Sequence, residues 1–248
     1  MNLRYGSILD YSNMDYPGKV ASVVFLAGCP LRCGFCFNEA LLKEENCAEE
    51  SIDFFVEHFK KQTKDIDAVA FTGGEPLQQA NALRELIPRL RELGFLIKVD
   101  TSGFFSEELA DILPAIDYIV MDVKTRFEPD AYKEITGYAG DKELLFSKIL
   151  KSIAFIEKRD HGLFKEFRTT VIPGFNDTPE TIENIAKQVS FATQYTLQQF
   201  TPNYGTISPH FRDIPLTSRE KLLELAKVAK KTIELVAIRT AEKGEELV

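Results

Sequence analysis

No apolar run in the chain approaches the roughly 18 residues of a membrane-spanning helix. Met1 to Tyr16 is polar and mixed, without the apolar stretch of a signal peptide. A basic excess is missing as well. There are 38 acidic side chains against 30 basic ones, a net charge of −8, which argues against a dedicated binder of nucleic acid or of an anionic membrane. Internal repeats and low-complexity segments are absent. The expectation is a cytoplasmic protein with neither a nucleic-acid nor a membrane partner. Histidine is scarce: His58, His161 and His210 are the only three, and they suggest no ligand cluster. His58 falls in a helical pattern and His161 in a polar turn, so both are expected at the surface. Cysteine is scarce too, with four in 248 residues, and in a reducing compartment these should remain thiols.

Three of those four, Cys29, Cys33 and Cys36, are crowded into one short segment, which reads as metal ligation before it reads as disulfides. Around them, short apolar runs recur at residues 20–26, 68–71, 95–99, 118–121, 168–172, 196–200 and 233–238. Continuous apolarity suits strands buried on both faces of a parallel sheet. Helical spacing lies between the runs. Ser51 is placed to cap a helix burying Ile52, Phe55, Val56 and Phe59. Further apolar stripes run through Leu83, Leu86 and Leu90, and through Ile149, Ile153 and Ile156. Thr178-Pro179 is a helix start signal, and Thr217 with Glu220 has capping-box spacing. Strand and helix alternate, so the expected class is α/β, parallel strands with outer helices, in one domain over residues 1–248. The stretches Lys124 to Asp141 and Thr201 to Pro215 read as irregular loops.

Unusual residues follow the strands in order. After the first come Gly28 to Cys36, and after the second Thr72-Gly73-Gly74-Glu75-Pro76. Asp100-Thr101-Ser102-Gly103, Asp122-Val123-Lys124, Pro173 to Asp177 and Thr201 to Gly205 follow the next four. In a parallel barrel such strand ends share one rim, where active sites are built, so a single composite site is expected.

Three thiolates spaced C-x3-C-x2-C suit three corners of a cubane iron–sulfur cluster with one iron left open. The competing reading is a structural zinc in a non-catalytic interaction module. That needs a fourth ligand, and Cys47 and His58, the nearest candidates, lack the usual paired spacing. No role is expected for Cys47.

The cysteine segment, with Phe35 just before its last cysteine, and Gly73-Gly74-Glu75-Pro76 together resemble the radical S-adenosylmethionine superfamily over most of the chain. The resemblance implies a partial (β/α)6-type TIM barrel, a 4Fe–4S cluster on Cys29, Cys33 and Cys36, and S-adenosylmethionine chelated to the open iron. It implies cleavage of the cofactor to a 5′-deoxyadenosyl radical that abstracts a hydrogen atom. Phe35 would lie against the adenine, Gly73 and Gly74 would admit the methionine amino group, and Glu75 would brace their loop. Asp100, Thr101, Asp122, Lys124 and Arg168 resemble the cofactor-binding pattern of glycyl-radical-enzyme activases. In that pattern two aspartates and a threonine surround the ribose and a monovalent cation. Asn203 stands where pyruvate formate-lyase activases often carry histidine. Asp15-Tyr16-Pro17-Gly18-Lys19, Asn38 and Ile238-Arg239-Thr240 resemble the activases of anaerobic ribonucleoside-triphosphate reductase. The implied partners are that glycyl radical enzyme and a flavodoxin or ferredoxin as electron donor. The segment carrying extra clusters in some activases is excluded by the missing cysteines. Activation of a pyruvate formate-lyase type enzyme, or radical chemistry on a small molecule or peptide, remains an alternative. Tyr132, Tyr204 and Phe211, on the two long loops, are expected to anchor the partner.

Overall fold

Ala21–Leu26 has almost no polar side chain, and five of its six residues are fully buried, so it forms an interior strand instead of a half-wet one. It is one of ten strands in a computed structural model that describes residues 1–43, 47–159 and 162–248. His161 lies outside the described residues. The chain divides into two compact units.

The first unit comprises residues 1–30, 38–120 and 154–164. It holds β1 (Asn2–Ser12), β2 (Ala21–Leu26), α1 (Glu39–Lys43), β3 (Ala48–Ser51), α2 (Ile52–Lys60), β4 (Ala68–Gly73), α3 (Ala80–Glu92), β5 (Leu96–Thr101) and α4 (Ser106–Ile112). Its strands are ordered β3-β1-β2-β4-β5. β2, β4 and β5 are parallel, with Val24 opposite Phe71 and Phe71 opposite Val99. β1 runs antiparallel to both β2 and β3. Ser51 caps α2 by accepting from Phe54 N–H at 3.2 Å, which turns Ile52, Phe55, Val56 and Phe59 inward. Each such buried side chain contributes about 1.5–3 kcal/mol.

β6 (Tyr118–Asp122) crosses from the first unit into the second. The second unit, residues 31–37, 121–153 and 165–248, continues with α5 (Pro129–Thr136), α6 (Lys142–Lys158, its last turn in the first unit), β7 (Phe164–Val171), α7 (Pro179–Gln188), β8 (Gln194–Gln199), α8 (Arg219–Ala229), β9 (Val236–Thr240) and β10 (Gly244–Leu247). β7, β8 and β9 are parallel neighbours, and β10 closes on β9 antiparallel.

The α/β class and the parallel strands are as expected, but the sheet is mixed. β1 and β10 were illegible because β1 buries only Leu3 completely and β10 is half-exposed Gly-Glu-Glu-Leu. Their register comes from backbone ladders, with no apolar face to announce it. Lys124 to Asp141 is not irregular throughout, since α5 occupies its middle, started by Pro129 and ended by left-handed Gly137. The last parallel strand starts at Val236, three residues later than its apolar run. The cap of α8 is Ser218, which accepts from Lys221 N–H at 3.1 Å. Thr217 is instead buried, with its hydroxyl donating to the Val171 carbonyl. Thr178 caps α7 as the sequence suggests.

Candidate active site

In the first unit the candidate residues meet through the backbone. Past β2 the chain turns at Gly28, φ 87°, into half-buried Cys29. Gly74 N–H donates to the Leu26 carbonyl at 2.9 Å, and Glu75 N–H to the Gly28 carbonyl at 2.8 Å. A Cβ on Gly74 would fall 2.1 Å from the Gly28 oxygen, and one on Gly73, at φ 113°, 2.6 Å from the Leu26 backbone. Only glycine permits that approach. Asn38 Nδ2 donates to the Gly73 carbonyl at 3.1 Å, tying the chain after the last cysteine to the same turn.

Glu75 is completely buried. Its carboxylate accepts from Thr101 Oγ1 at 2.8 Å, Ser102 N–H at 2.8 Å, Leu77 N–H at 3.2 Å and the Ser102 hydroxyl. Burial pushes the Glu75 carboxyl above its ordinary range, while the Ser102, Thr101 and Leu77 hydrogen bonds act the other way. Glu75 thereby locks the end of β4 to the end of β5. The Thr101 hydroxyl also accepts from Gly103 N–H at 3.1 Å. Asp100, next to it, pairs with Lys98 at 3.1 Å.

In the second unit side-chain packing and ion pairs join the candidates alongside backbone hydrogen bonds. Cys33 is buried and Cys36 half-buried, with Cys36 N–H donating to the Cys33 carbonyl at 3.0 Å. Burial pushes the Cys33 thiol up to about 11, against the pull of the Lys124 charge. Ser208 N–H donates to Gly34 O at 2.9 Å and Ile207 N–H to Cys36 O at 3.1 Å, so the loop after β8 clamps the cysteine loop. Phe35 packs on Phe211, beside a cluster of Ile135, Ile172 and Phe200. Lys124 Nζ stands 5.8 Å from the Phe35 ring centre and 3.0 Å from Asp122 Oδ2. Arg168 Nε lies 3.4 Å from buried Glu166, and its carbonyl accepts from Val123 N–H at 2.8 Å. Asn203 sits exposed on the Pro202–Tyr204 turn, its N–H on Thr201 Oγ1 at 3.3 Å. Among the described residues, no hydrogen bond joins its side chain to the other candidates.

Lys98, Glu166 and Ser208 were not singled out from sequence, and Ser102 stood out only as part of the segment after the third strand, with no role assigned. A lysine inside an apolar strand and a glutamate two before an arginine were the available signals. The expected partner anchors need correction. Tyr132 and Phe211 are buried, the first under Phe127 and Phe146, the second in the aromatic cluster. Tyr204 is 70% exposed, 6.2 Å from the half-exposed ring of Phe37.

A profile of the radical SAM superfamily matches residues 23–189. MJ1227 of Methanocaldococcus jannaschii, which bears the name of a glycyl-radical enzyme activating enzyme, is 37% identical over 97% of this chain and 97% of its own. This chain is a radical SAM enzyme of the glycyl-radical-enzyme activating family. Membership implies a 4Fe–4S cluster and S-adenosylmethionine, and it sets aside the non-catalytic zinc module. The pyruvate formate-lyase-activating enzyme of Clostridium pasteurianum is 28% identical over 93% of this chain and 98% of that protein. Among solved structures, QueE from Escherichia coli matches 97% of this chain and 95% of its own with a TM-score of 0.56 at 14% identity, a likeness of fold alone. No helix among the described residues is long and apolar enough to cross a membrane. Nor do three His, Cys, Asp or Glu among them stand ready to hold a single metal ion. A cubane spreads its thiolates over separate irons and asks for a wider spacing than one ion does.

Proposed function

We propose that this enzyme activates anaerobic ribonucleoside-triphosphate reductase by generating a glycyl radical on it. Cys29, Cys33 and Cys36 would hold the cluster, and Phe35, Gly73, Gly74, Glu75, Asp100, Thr101, Asp122, Lys124, Arg168 and Asn203 would form the S-adenosylmethionine site. The end-to-end likeness to MJ1227 carries the activase reading. Asp15-Tyr16-Pro17-Gly18-Lys19 supports the reductase as target, and here it forms a turn in which Lys19 N–H donates to the Tyr16 carbonyl at 3.1 Å. Gly18 supplies the positive φ of 71°.

The residues suit the two groups. Three soft thiols sit on one short loop, and the turn at Gly73-Gly74 lies so close to the Leu26 and Gly28 backbone that no Cβ fits, which leaves the turn's own backbone bare of side chains. When bound, the cluster and S-adenosylmethionine supply the one-electron chemistry that removes a Cα hydrogen. The chain's own residues bind and orient. Gly73 and Gly74 present backbone to the methionine end. Glu75 is engaged by four donors, so its part in the site is to fix that backbone. Lys124, beside Phe35, offers a cation to the cofactor carboxylate, and Glu166 holds Arg168 in place. The monovalent cation implied near Asp100 and Asp122 finds each carboxylate already paired with a lysine, at 3.1 and 3.0 Å. Tyr204 with Phe37 is the exposed aromatic pair left for partner contact. The electron would come from a flavodoxin or ferredoxin.

The likeness to the Clostridium pasteurianum enzyme favours pyruvate formate-lyase as the second reading. Reduced, cluster-loaded enzyme is incubated with S-adenosylmethionine and, separately, with each of the two candidate partners from the same organism. The proposal expects a glycyl doublet in electron paramagnetic resonance on the reductase. A doublet on the lyase alone overturns that target, and no doublet on either overturns the activase reading.

A further inference from the structure

Lys98 and Asp100 are two residues apart on β5, so their side chains leave the same face of the strand. Lys98 Nζ lies 3.1 Å from Asp100 Oδ1, with the lysine side chain 3% and the aspartate 20% exposed. The Tyr118 ring centre is 5.2 Å from the same ammonium. That ring is buried and held edge-on by Tyr16 at 5.2 Å and Phe164 at 4.7 Å. On β4 the residue in register with Lys98 is Ala70, whose small side chain leaves space for the long stem. A flexible side chain is thus fixed as a point charge between one carboxylate and one aromatic face.

A sodium or potassium ion at Asp100 would have to share that carboxylate with a buried ammonium. Like charges a few ångströms apart, away from bulk water, repel strongly. A buried ammonium is also held only where it is paired, so Lys98 has nowhere to retreat. We infer that Lys98 supplies from the chain itself the positive charge beside Asp100 that a monovalent metal ion would otherwise provide, so that cofactor binding is independent of such ions. Lys98 is a positioning residue: it sets the orientation of the Asp100 carboxylate and balances its charge. The inference rests on the reading of Asp100 as part of the S-adenosylmethionine site.

The test compares cluster-loaded protein in potassium chloride and in choline chloride at equal ionic strength. It reads the midpoint of thermal unfolding and, by calorimetry, the affinity for S-adenosylmethionine. A resident ion at about 100 times its Kd would raise the midpoint by several degrees. For the wild type, we expect both readings to be the same in the two salts. Lys98→Met keeps the stem and removes the charge. It should lower the midpoint and weaken cofactor binding about tenfold or more in choline, with recovery in potassium as the ion enters the vacated place. A wild-type midpoint or affinity that rises with potassium overturns the inference without any variant. So does a Lys98→Met protein that loses nothing. If Lys98→Met does not fold, Lys98→Arg replaces it and should stay insensitive to potassium. A potassium requirement in that variant counts against the inference. Should the cofactor fail to bind in either salt, the reading of the site falls, while the thermal midpoint still decides the question of the ion.

Discussion

The two units hold the candidate residues that each contains by different means. In the first, backbone meets backbone: Gly74 N–H on Leu26, Glu75 N–H on Gly28, with the buried Glu75 carboxylate closing the turn. In the second, side chains add to the backbone bonds around the thiols: Phe35 packs on Phe211 and Lys124 stands beside Asp122, while Ser208 N–H holds the Gly34 carbonyl. A site made of backbone tolerates almost no side-chain change at its glycines. A site made of side chains degrades by degrees.

The sharpest break in this comparison is at the thiols themselves. Cys29→Ala, Cys33→Ala and Cys36→Ala should each abolish cluster assembly, measured as iron and acid-labile sulfide, because each is expected to supply one of only three thiolates. Cys47→Ala should retain full iron content. Loss of iron on removing Cys47 would mean that the ligand set is wrong.

Next in size is Gly74→Ala. Its Cβ would meet a backbone carbonyl at 2.1 Å, which cannot step aside. Overpacking of this kind costs about 1–3 kcal/mol or more. Cofactor affinity should collapse while iron content survives. Retained affinity would show that the Gly73-Gly74 turn is not where the cofactor binds.

Glu75→Gln sharpens the contrast further. The amide places an NH2 among donors that need an acceptor, leaving buried groups unpaired at about 1–3 kcal/mol each. Thermal stability should fall even though a buried charge is removed. A stability equal to the wild type would mean that Glu75 is protonated and its four contacts are replaceable.

Titration probes the second unit. Cys33 has its thiol raised from 9.0 to about 11 in the metal-free protein. A raised folded-state pKa means that its contribution is complete below pH 9 and is lost as pH rises towards 11. The total loss is about 3 kcal/mol at about 1.4 kcal/mol per pH unit. Metal-free protein should therefore destabilise over that window, and Cys33→Ala should lose this component of the dependence. The same slope in both proteins would assign the effect to other groups.

The smallest expected effect is at the exposed pair. Tyr204→Ala should reduce glycyl-radical formation on the partner several-fold, with uncoupled cofactor cleavage nearly unchanged. Phe211→Ala, from the buried cluster, should lower both together. Parallel loss in Tyr204→Ala would move the docking surface elsewhere.

What sequence made legible follows the same division. Gly73-Gly74-Glu75 stood out because backbone approach demands glycine and leaves a motif. The interior strands stood out because burial on both faces leaves an apolar run. β1 and β10 left no such trace, since ladder hydrogen bonds carry no side-chain signature. Tyr132 and Phe211 were misread because an aromatic has the same letter whether it faces a partner or its own cluster, and because the helix that carries Tyr132 was read as a loop. The Lys98–Asp100 pair was not picked out from sequence, where Asp100 reads as following the strand, and only the structure shows the ammonium buried against Tyr118.

The most direct measurement counts 5′-deoxyadenosine against glycyl spins in a single turnover of the reduced enzyme with its partner. The account predicts one nucleoside for each spin on the partner, with methionine released in the same amount. Nucleoside formed in quantity with no spin on any glycyl radical enzyme would contradict it and would point to a small-molecule or peptide substrate instead.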